Sequence, residues 1–247
     1  MKNKSKMMIK FKKGVAIAHY DCVDSTNRVL LDNGKAPHLF TLVADRQTGG
    51  RGRMGRKYFS YEGGLYMSVS LSVDELNIPL NLCTPVAALA VYDSLTEAGC
   101  TDLKIKWVND ILKNSKKICG ILTECRTDEY GMKNIVVGIG INLKEPYGGF
   151  PDEIKEKAGF ADYEGDKLLL AESIIKRLGD YIKLDVSEVV KRYEENMAFL
   201  GTEATVTDYA DHNNKIKVTI LGVNEDCFLR IRLSDGSERL LSSGEIM

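Results

Sequence analysis

The stretch Arg46–Ser60, RQTGGRGRMGRKYFS, decides between fold classes. It gathers four glycines, four arginines and a lysine ahead of a tyrosine and a phenylalanine. Glycines let backbone N–H groups face an anion, and arginines hold phosphate or carboxylate oxygens in pairs. The spacing from Gly50 to Gly55 approaches a P-loop but continues as Arg56-Lys57, without the Lys–Ser/Thr pair such a loop requires. A dinucleotide-binding turn is excluded as well. Its glycine spacing differs, and here an aromatic segment and a strand follow where a helix would begin. Taken alone, the loop also suits an exposed nucleic-acid contact. A segment this flexible costs about 1–2 kcal/mol per residue to order, which a bound anion would offset.

Outward from the loop, LFTLVAD (39–45) reads as a buried strand and LYMSVSL (65–71) as an alternating strand with one buried face. GVAIAHY (14–20) is a first strand, and Asp24/Ser25 cap a helix that runs through Leu31 and stops at Asn33-Gly34. Residues 79–99 carry helical periodicity with a glycine stop. LKIKWV with DILK, and KKICGILTECR after the Asn114-Ser115 turn, predict antiparallel strands. KNIVVGIGINL (133–143) is apolar throughout and therefore central, and residues 167–199 hold two helical stretches. After Gly201 the texture changes to short alternating strands, EATVTDY, KIKVTILGV, CFLRIRL and RLLS. They are parted by Asn213-Asn214, Asn224–Asp226 and Asp235-Gly236. The reading is α+β: residues 1–200 form a mixed, largely antiparallel sheet flanked by helices, and residues 201–247 a small SH3-like β-barrel.

Composition sets the function classes. With 247 residues, 34 Lys+Arg against 35 Asp+Glu and a net charge of −1, the chain is no globally basic nucleic-acid coat, so anion binding must come from local clusters. The basic N-terminus has no apolar core of signal-peptide length, and no run approaches a membrane span. Six scattered cysteines without a CxxC pair, and three histidines, argue against a zinc site or a disulfide framework. The expectation is a cytoplasmic protein with reduced thiols, no membrane partner and no protein-held metal.

A second cluster, Lys104–Glu124, holds the single tryptophan, an Asn109-Asp110 pair where a strand should end, and Lys116-Lys117 beyond a turn. Each has an ordinary reading: Trp107 as core, Asp110 as a turn cap, Lys117 as a solvated lysine. A third, VVGIGINL, places Gly138 and Gly140 on one face of an apolar strand, for tight packing or for close approach of a ligand.

Together, DSTN (24–27), ADRQTGGRGRMGRKY (44–58), KWVNDI (106–111), KKICGILTE (116–124), GIGINL (138–143) and the terminal GEI (244–246) resemble the biotin–protein ligases, the biotin–[acetyl-CoA-carboxylase] ligases. The resemblance spans nearly the whole chain. It implies a class II synthetase-like core and a two-step reaction. Biotin and ATP give biotinyl-5′-adenylate and pyrophosphate, and a lysine of a biotin carboxyl carrier domain then takes the biotin and releases AMP. It implies Mg2+ carried in by ATP. A short basic stretch ahead of the first strand implies a monofunctional ligase with no operator DNA and no nucleic-acid partner. A homodimer through an exposed sheet edge and a monomer are equally compatible.

By the same resemblance, Ser25, Thr26 and Asn27 line the biotin pocket with Gln47 and Gly50 near it, and Arg51 and Arg53 hold the biotin carboxylate and the adenylate phosphate. Arg56 contacts the ATP phosphates, and Lys117 stabilises the transition state. Gly120 and Gly138 let the backbone approach biotin, and Trp107 packs at the pocket floor. Asn109 and Asn142 hold the adenylate side, Asp110 orients or deprotonates the incoming lysine, and Tyr58 stacks beside the adenine. Three positions depart from the family pattern: Tyr58 stands for tryptophan, Val108 for the proline of KWPND, and Cys119 for Gly or Ala. Cys119 reads as a small buried apolar residue. A lipoate ligase lacks the arginine loop, and an octanoyltransferase needs an activated cysteine absent here. A nucleic-acid binder explains neither KWVND nor the lysine hairpin.

Overall fold

The computed structural model describes residues 7–12, 15–34, 36–127, 131, 133–211 and 214–247. Two sheets organise them. In the larger, β1 (Met7–Lys12), β2 (Val15–Val23), β3 (Thr41–Gln47), β4 (Gly64–Leu71), β5 (Leu103–Lys106), β6 (Asp110–Lys113), β7 (Lys116–Thr127) and β8 (Lys133–Asn142) lie in the order β1-β2-β3-β4-β8-β7-β6-β5. Only β2 and β3 run parallel, joined through the short helix α1 (Thr26–Asp32). The expected mixed, largely antiparallel sheet is therefore what forms, with β8 at its centre between β4 and β7. β1 is not anticipated by the sequence, because MMIKFK is short and basic and becomes a strand by pairing with β2. Part of the N-terminal basic stretch and Asn213 of one expected turn lie outside the described residues.

Asn114 and Ser115 both take positive φ (49° and 64°), the geometry of a two-residue hairpin turn whose twist matches the strands it joins. That turn lays β6 against β7 with Asp110 opposite Gly120.

The two faces of this sheet differ in chemistry. Odd-numbered Leu65, Met67, Val69 and Leu71 of β4 and Ile135, Val137, Ile139 and Ile141 of β8 pack beneath α2 (Cys83–Glu97) and α3 (Lys167–Tyr181). α2 is buried nearly all round because the sheet, α3 and α4 (Val186–Glu195) enclose it. Each fully buried leucine or isoleucine there contributes about 1.5–3 kcal/mol. The opposite face carries Tyr66, Ser68, Gly138, Gly140 and Asn142, with α1 packed on Leu42 and Val136. β4 is thus buried on both faces, not on one as its alternation suggests. Ser68 is covered by Thr26 and Asn27 at the polar end of α1, and Ser70 donates to Ala36 O beyond the helix.

The smaller sheet, β9 (Glu203–Asp208), β10 (Asn214–Val223), β11 (Leu229–Arg232), β12 (Glu238–Leu241) and β13 (Gly244–Ile246), is five-stranded, antiparallel and ordered β12-β11-β10-β9-β13. Its Val206, Ile220, Leu229 and Ile246 join the same apolar cluster as α2, so one core runs through both sheets. No helix among the described residues is long and apolar enough to cross a membrane.

Candidate active site

The polar face of the large sheet opens into a cavity of about 1040 Å3, roofed by the arginine loop and closed at one side by the small sheet. It is lined by most of the site residues the sequence motifs supply, among them Ser25, Thr26, Asn27, Gln47, Arg51, Arg53, Arg56, Tyr58, Trp107, Asn109, Asp110, Lys117, Gly120, Gly138 and Asn142. Gly50 lies buried at the base of the loop, where Tyr58 N donates to its carbonyl at 2.9 Å.

One end is a tight polar network. Ser25 caps α1 and accepts from Arg28 N. Gln47 Oε1 accepts from Thr26 N at 2.8 Å and from Thr26 Oγ1 at 3.1 Å. Ser68 Oγ lies 2.6 Å from Asn27 Oδ1 and 2.7 Å from Thr26 Oγ1. Asn27 Nδ2 donates to Leu122 O at 3.1 Å and to Glu124 Oε2 at 2.8 Å. Both ends of the Asn27 amide are therefore held by protein, and a Cβ on Gly138 would fall on it. The room above Gly138 belongs to Asn27, so this glycine shapes the pocket wall by admitting a side chain.

At the centre, Lys117 Nζ stands 2.7 Å from Asp110 Oδ1, and Lys117 N and O bond to Lys157 O and Gly159 N. Lys106 lies opposite Asp110 in the β5–β6 register and also lines the cavity. Burial pulls the Lys106 ammonium below its ordinary lysine value, with Asp110 and Glu245 opposing that and Lys117 adding to it. Asn142 Nδ2 donates to Gly159 O at 2.9 Å, fixing the 158–161 segment beside Lys117.

The other end is built by the arginine loop against the small sheet. Arg53 Nη1 reaches Asn109 Oδ1 at 3.2 Å and Gly244 O at 3.4 Å, and Asn109 Nδ2 donates to Ile121 O. Arg56 pairs with Glu245 at 2.8 Å and donates to Tyr209 Oη at 3.0 Å. The Glu245 bond raises the Arg56 guanidinium further. Burial acts to raise the Glu245 carboxyl, but its bonds from Arg56 and Tyr209 outweigh that and hold it low. Arg51 is exposed and pairs with Lys57 across the loop as an isolated bridge.

Trp107 is buried with its Nε1–H donating to Cys227 O at 2.8 Å, so it ties the two sheets together as well as lining the cavity. The Trp107–Val108 peptide is cis. Cys119 is fully buried, and burial pushes its thiol well up, as a packing residue rather than a nucleophile requires.

Sequence reasoning missed Ser68, Glu124, Lys106, Tyr209 and Glu245. Ser68 sits opposite Gly138 in the β4–β8 register, and Lys106 and Glu124 lie inside quoted motifs but take their places in the site only once the register is known. Tyr209 and Glu245 meet Arg56 across 153 and 189 residues; no local pattern marks Tyr209, and the GEI motif does not say that Glu245 faces the loop.

With this geometry in place, comparison with known proteins is specific. Residues 20–142 match the biotin/lipoate A/B protein ligase family, and residues 199–247 match the biotin protein ligase C-terminal domain. The bifunctional ligase/repressor BirA of Bacillus subtilis is 33% identical over 244 residues, covering 93% of this chain and 73% of the relative. The biotin–[acetyl-CoA-carboxylase] ligase of Paracoccus denitrificans is 37% identical over 134 residues, 52% of this chain and 53% of the relative. Among solved structures, the biotin protein ligase from Aquifex aeolicus in complex with biotin and ATP superposes with a TM-score of 0.80 at 31% identity, covering 94% of this chain and 97% of that one. The chain belongs to the biotin/lipoate A/B protein ligase family. It is an enzyme of the biotin–protein ligase kind, with that ligase's C-terminal domain beside the catalytic core.

Proposed function

We propose that the enzyme joins biotin to ATP as biotinyl-5′-adenylate, then transfers biotin to a lysine of a biotin carboxyl carrier domain. The observation that carries this reading is the Lys117–Asp110 pair, 2.7 Å apart under an arginine loop in a cavity large enough for both substrates. In the first step a biotin carboxylate oxygen bonds to the α-phosphorus and the bond to pyrophosphate breaks. Two anions must meet, so cations have to offset repulsion and the developing charge. Lys117 and Arg53 are the groups we assign to that task, with Arg51 on the carboxylate and phosphate and Arg56 on the outer phosphates. In the second step the carrier amine bonds to the biotin carbonyl carbon and the anhydride C–O bond breaks. AMP leaves, and Asp110 takes the amine proton.

Ser25, Thr26, Asn27, Gln47, Gly50, Trp107, Gly120 and Gly138 form the biotin end in this reading, and Tyr58, Asn109 and Asn142 the adenylate end. Residues 1–200 act as the catalytic domain and 201–247 as a domain that braces the loop. Among the described residues no group of three or more His, Cys, Asp or Glu side chains is placed to hold a metal. The charged lining of the cavity is mainly cationic, with Arg51, Arg53, Arg56, Lys57, Lys106 and Lys117. Mg2+ carried in by ATP would neutralise phosphate charge there, with few protein groups holding it.

Pyrophosphate release from ATP on adding biotin, and separately lipoate, tests the reading, with Lys117→Ala as control. Release with lipoate but not biotin sinks it. The reading includes no transcriptional role, and sequence-specific binding of a biotin-operon promoter fragment at physiological salt overturns that part.

A further inference from the structure

The arginine loop carries little to hold its own shape: a bridge between Arg51 and Lys57, a bond from Gly52 N to Arg56 O, and a turn at Arg53–Gly55 with Met54 at positive φ. At its tip Arg56 is largely exposed, and an exposed ion pair such as Arg56–Glu245 contributes about 0–1 kcal/mol. The firmer anchor is at its base. Tyr58 N donates to Gly50 O, and the Tyr58 ring lies across β7 and β8 with its hydroxyl donating to Gly140 O at 2.7 Å. Gly120 and Gly140 are direct partners in the β7–β8 register, and the ring spans both. A Cβ on Gly140 would stand 2.7 Å from the ring, and one on Gly120 3.0 Å. Tyr66 meets the ring edge-on at 6.3 Å from the next strand.

We propose that Tyr58 is a positioning residue, a latch whose ring seats on the paired glycines and whose hydroxyl bonds the loop to β8, holding Arg51, Arg53 and Arg56 over the cavity. The paired glycines are then the seat of a protein side chain, and a ligand packs on the outer face of the tyrosine ring. Burial holds the phenol protonated far above neutral pH, so the donor is present throughout the working range. The catalytic consequence rests on the biotin–ATP reading above; the structural part does not.

Trypsin digestion of the ligand-free full-length chain tests the latch, because Arg51, Arg53, Arg56 and Lys57 are its cleavage sites and cleavage tracks the open population. Tyr58→Phe keeps the ring and loses one buried hydrogen bond, so cleavage in the loop should quicken roughly three- to tenfold. Gly140→Ala should quicken it more. In a Tyr58→Ala background, adding Gly140→Ala should change it less than twofold, because the colliding ring is gone. Cooperative thermal unfolding of each variant separates loop release from global misfolding. Equal cleavage of Tyr58→Phe and wild type, or a Gly140→Ala effect of equal size in both backgrounds, overturns the proposal. In pyrophosphate release, Tyr58→Phe should raise the KM for ATP by a larger factor than it lowers kcat. If the cleavage pattern holds while wild type releases no pyrophosphate with biotin, the latch stands and the substrate assignment falls.

Discussion

The Lys117 ammonium lies 2.7 Å from the Asp110 carboxylate, across the hairpin turned by Asn114 and Ser115. In the proposed reaction the pair would serve both halves: a cation for the joining of two anions, and a carboxylate for the amine that follows. Lys117→Ala should lower the rate of pyrophosphate release by roughly 10²–10³, the usual cost of removing a preorganised electrostatic group. Asp110→Asn should slow transfer from preformed biotinyl-adenylate to a carrier domain by roughly 10²–10⁴, more than it slows adenylation. Single-turnover measurements of the two steps check this, and equal loss in both steps contradicts the division of roles.

Lys106 should separate stability from activity. Burial lowers its folded pKa below the 10.5 of the free side chain, so its charged form is disfavoured in the fold. That penalty is complete at neutral pH and fades as pH rises from the folded value towards 10.5. Lys106→Met should therefore melt no lower than wild type at pH 7, with any advantage shrinking in alkali. The same variant should raise the KM for ATP roughly 10- to 100-fold through loss of a charged contact. A lower melting point at neutral pH would show that Lys106 is a structural ion-pair residue.

Ser68 holds the Asn27 amide from below. Ser68→Ala leaves a buried amide oxygen without its donor, at a cost of about 1–3 kcal/mol read from urea unfolding. The KM for biotin should rise more than kcat falls, because the disturbed network lies at the end of the cavity proposed for biotin. Unchanged biotin dependence would detach this network from substrate binding.

Trp107 joins the sheets through its bond to Cys227 O, and Gly244 lies against its ring. Trp107→Phe should destabilise by about 1–3 kcal/mol. Gly244→Ala drives a methyl into the Thr207 carbonyl and should also weaken ATP use, since Arg53 reaches the Gly244 carbonyl. Stability loss in Gly244→Ala with an unaltered KM for ATP would show that the small sheet does not steer the loop.

The glycines show where sequence reading stops. Gly138 and Gly140 stand out in VVGIGINL because a β-branched strand has no local use for them, so their importance is plain from the chain. What they make room for is not. The occupants are Asn27 and Tyr58, placed there by α1 and by the return of the arginine loop. Similarly, the alternation of LYMSVSL marks β4 as a strand but leaves open that α1 covers its serine face.

By itself the sequence determined the helices and most of the strands, though not β1, together with the antiparallel β6–β7 hairpin, the change of texture near Gly201 and the motifs that line the cavity. These follow from periodicity, turn chemistry and spacing, which act over a few residues. Tertiary structure decided that Arg53 and Arg56 brace against the small sheet, that Glu245 and Tyr209 join the site, and that Trp107 ties the sheets together. These contacts bring together residues far apart in the chain, and they exist only because one apolar core fixes both sheets at once.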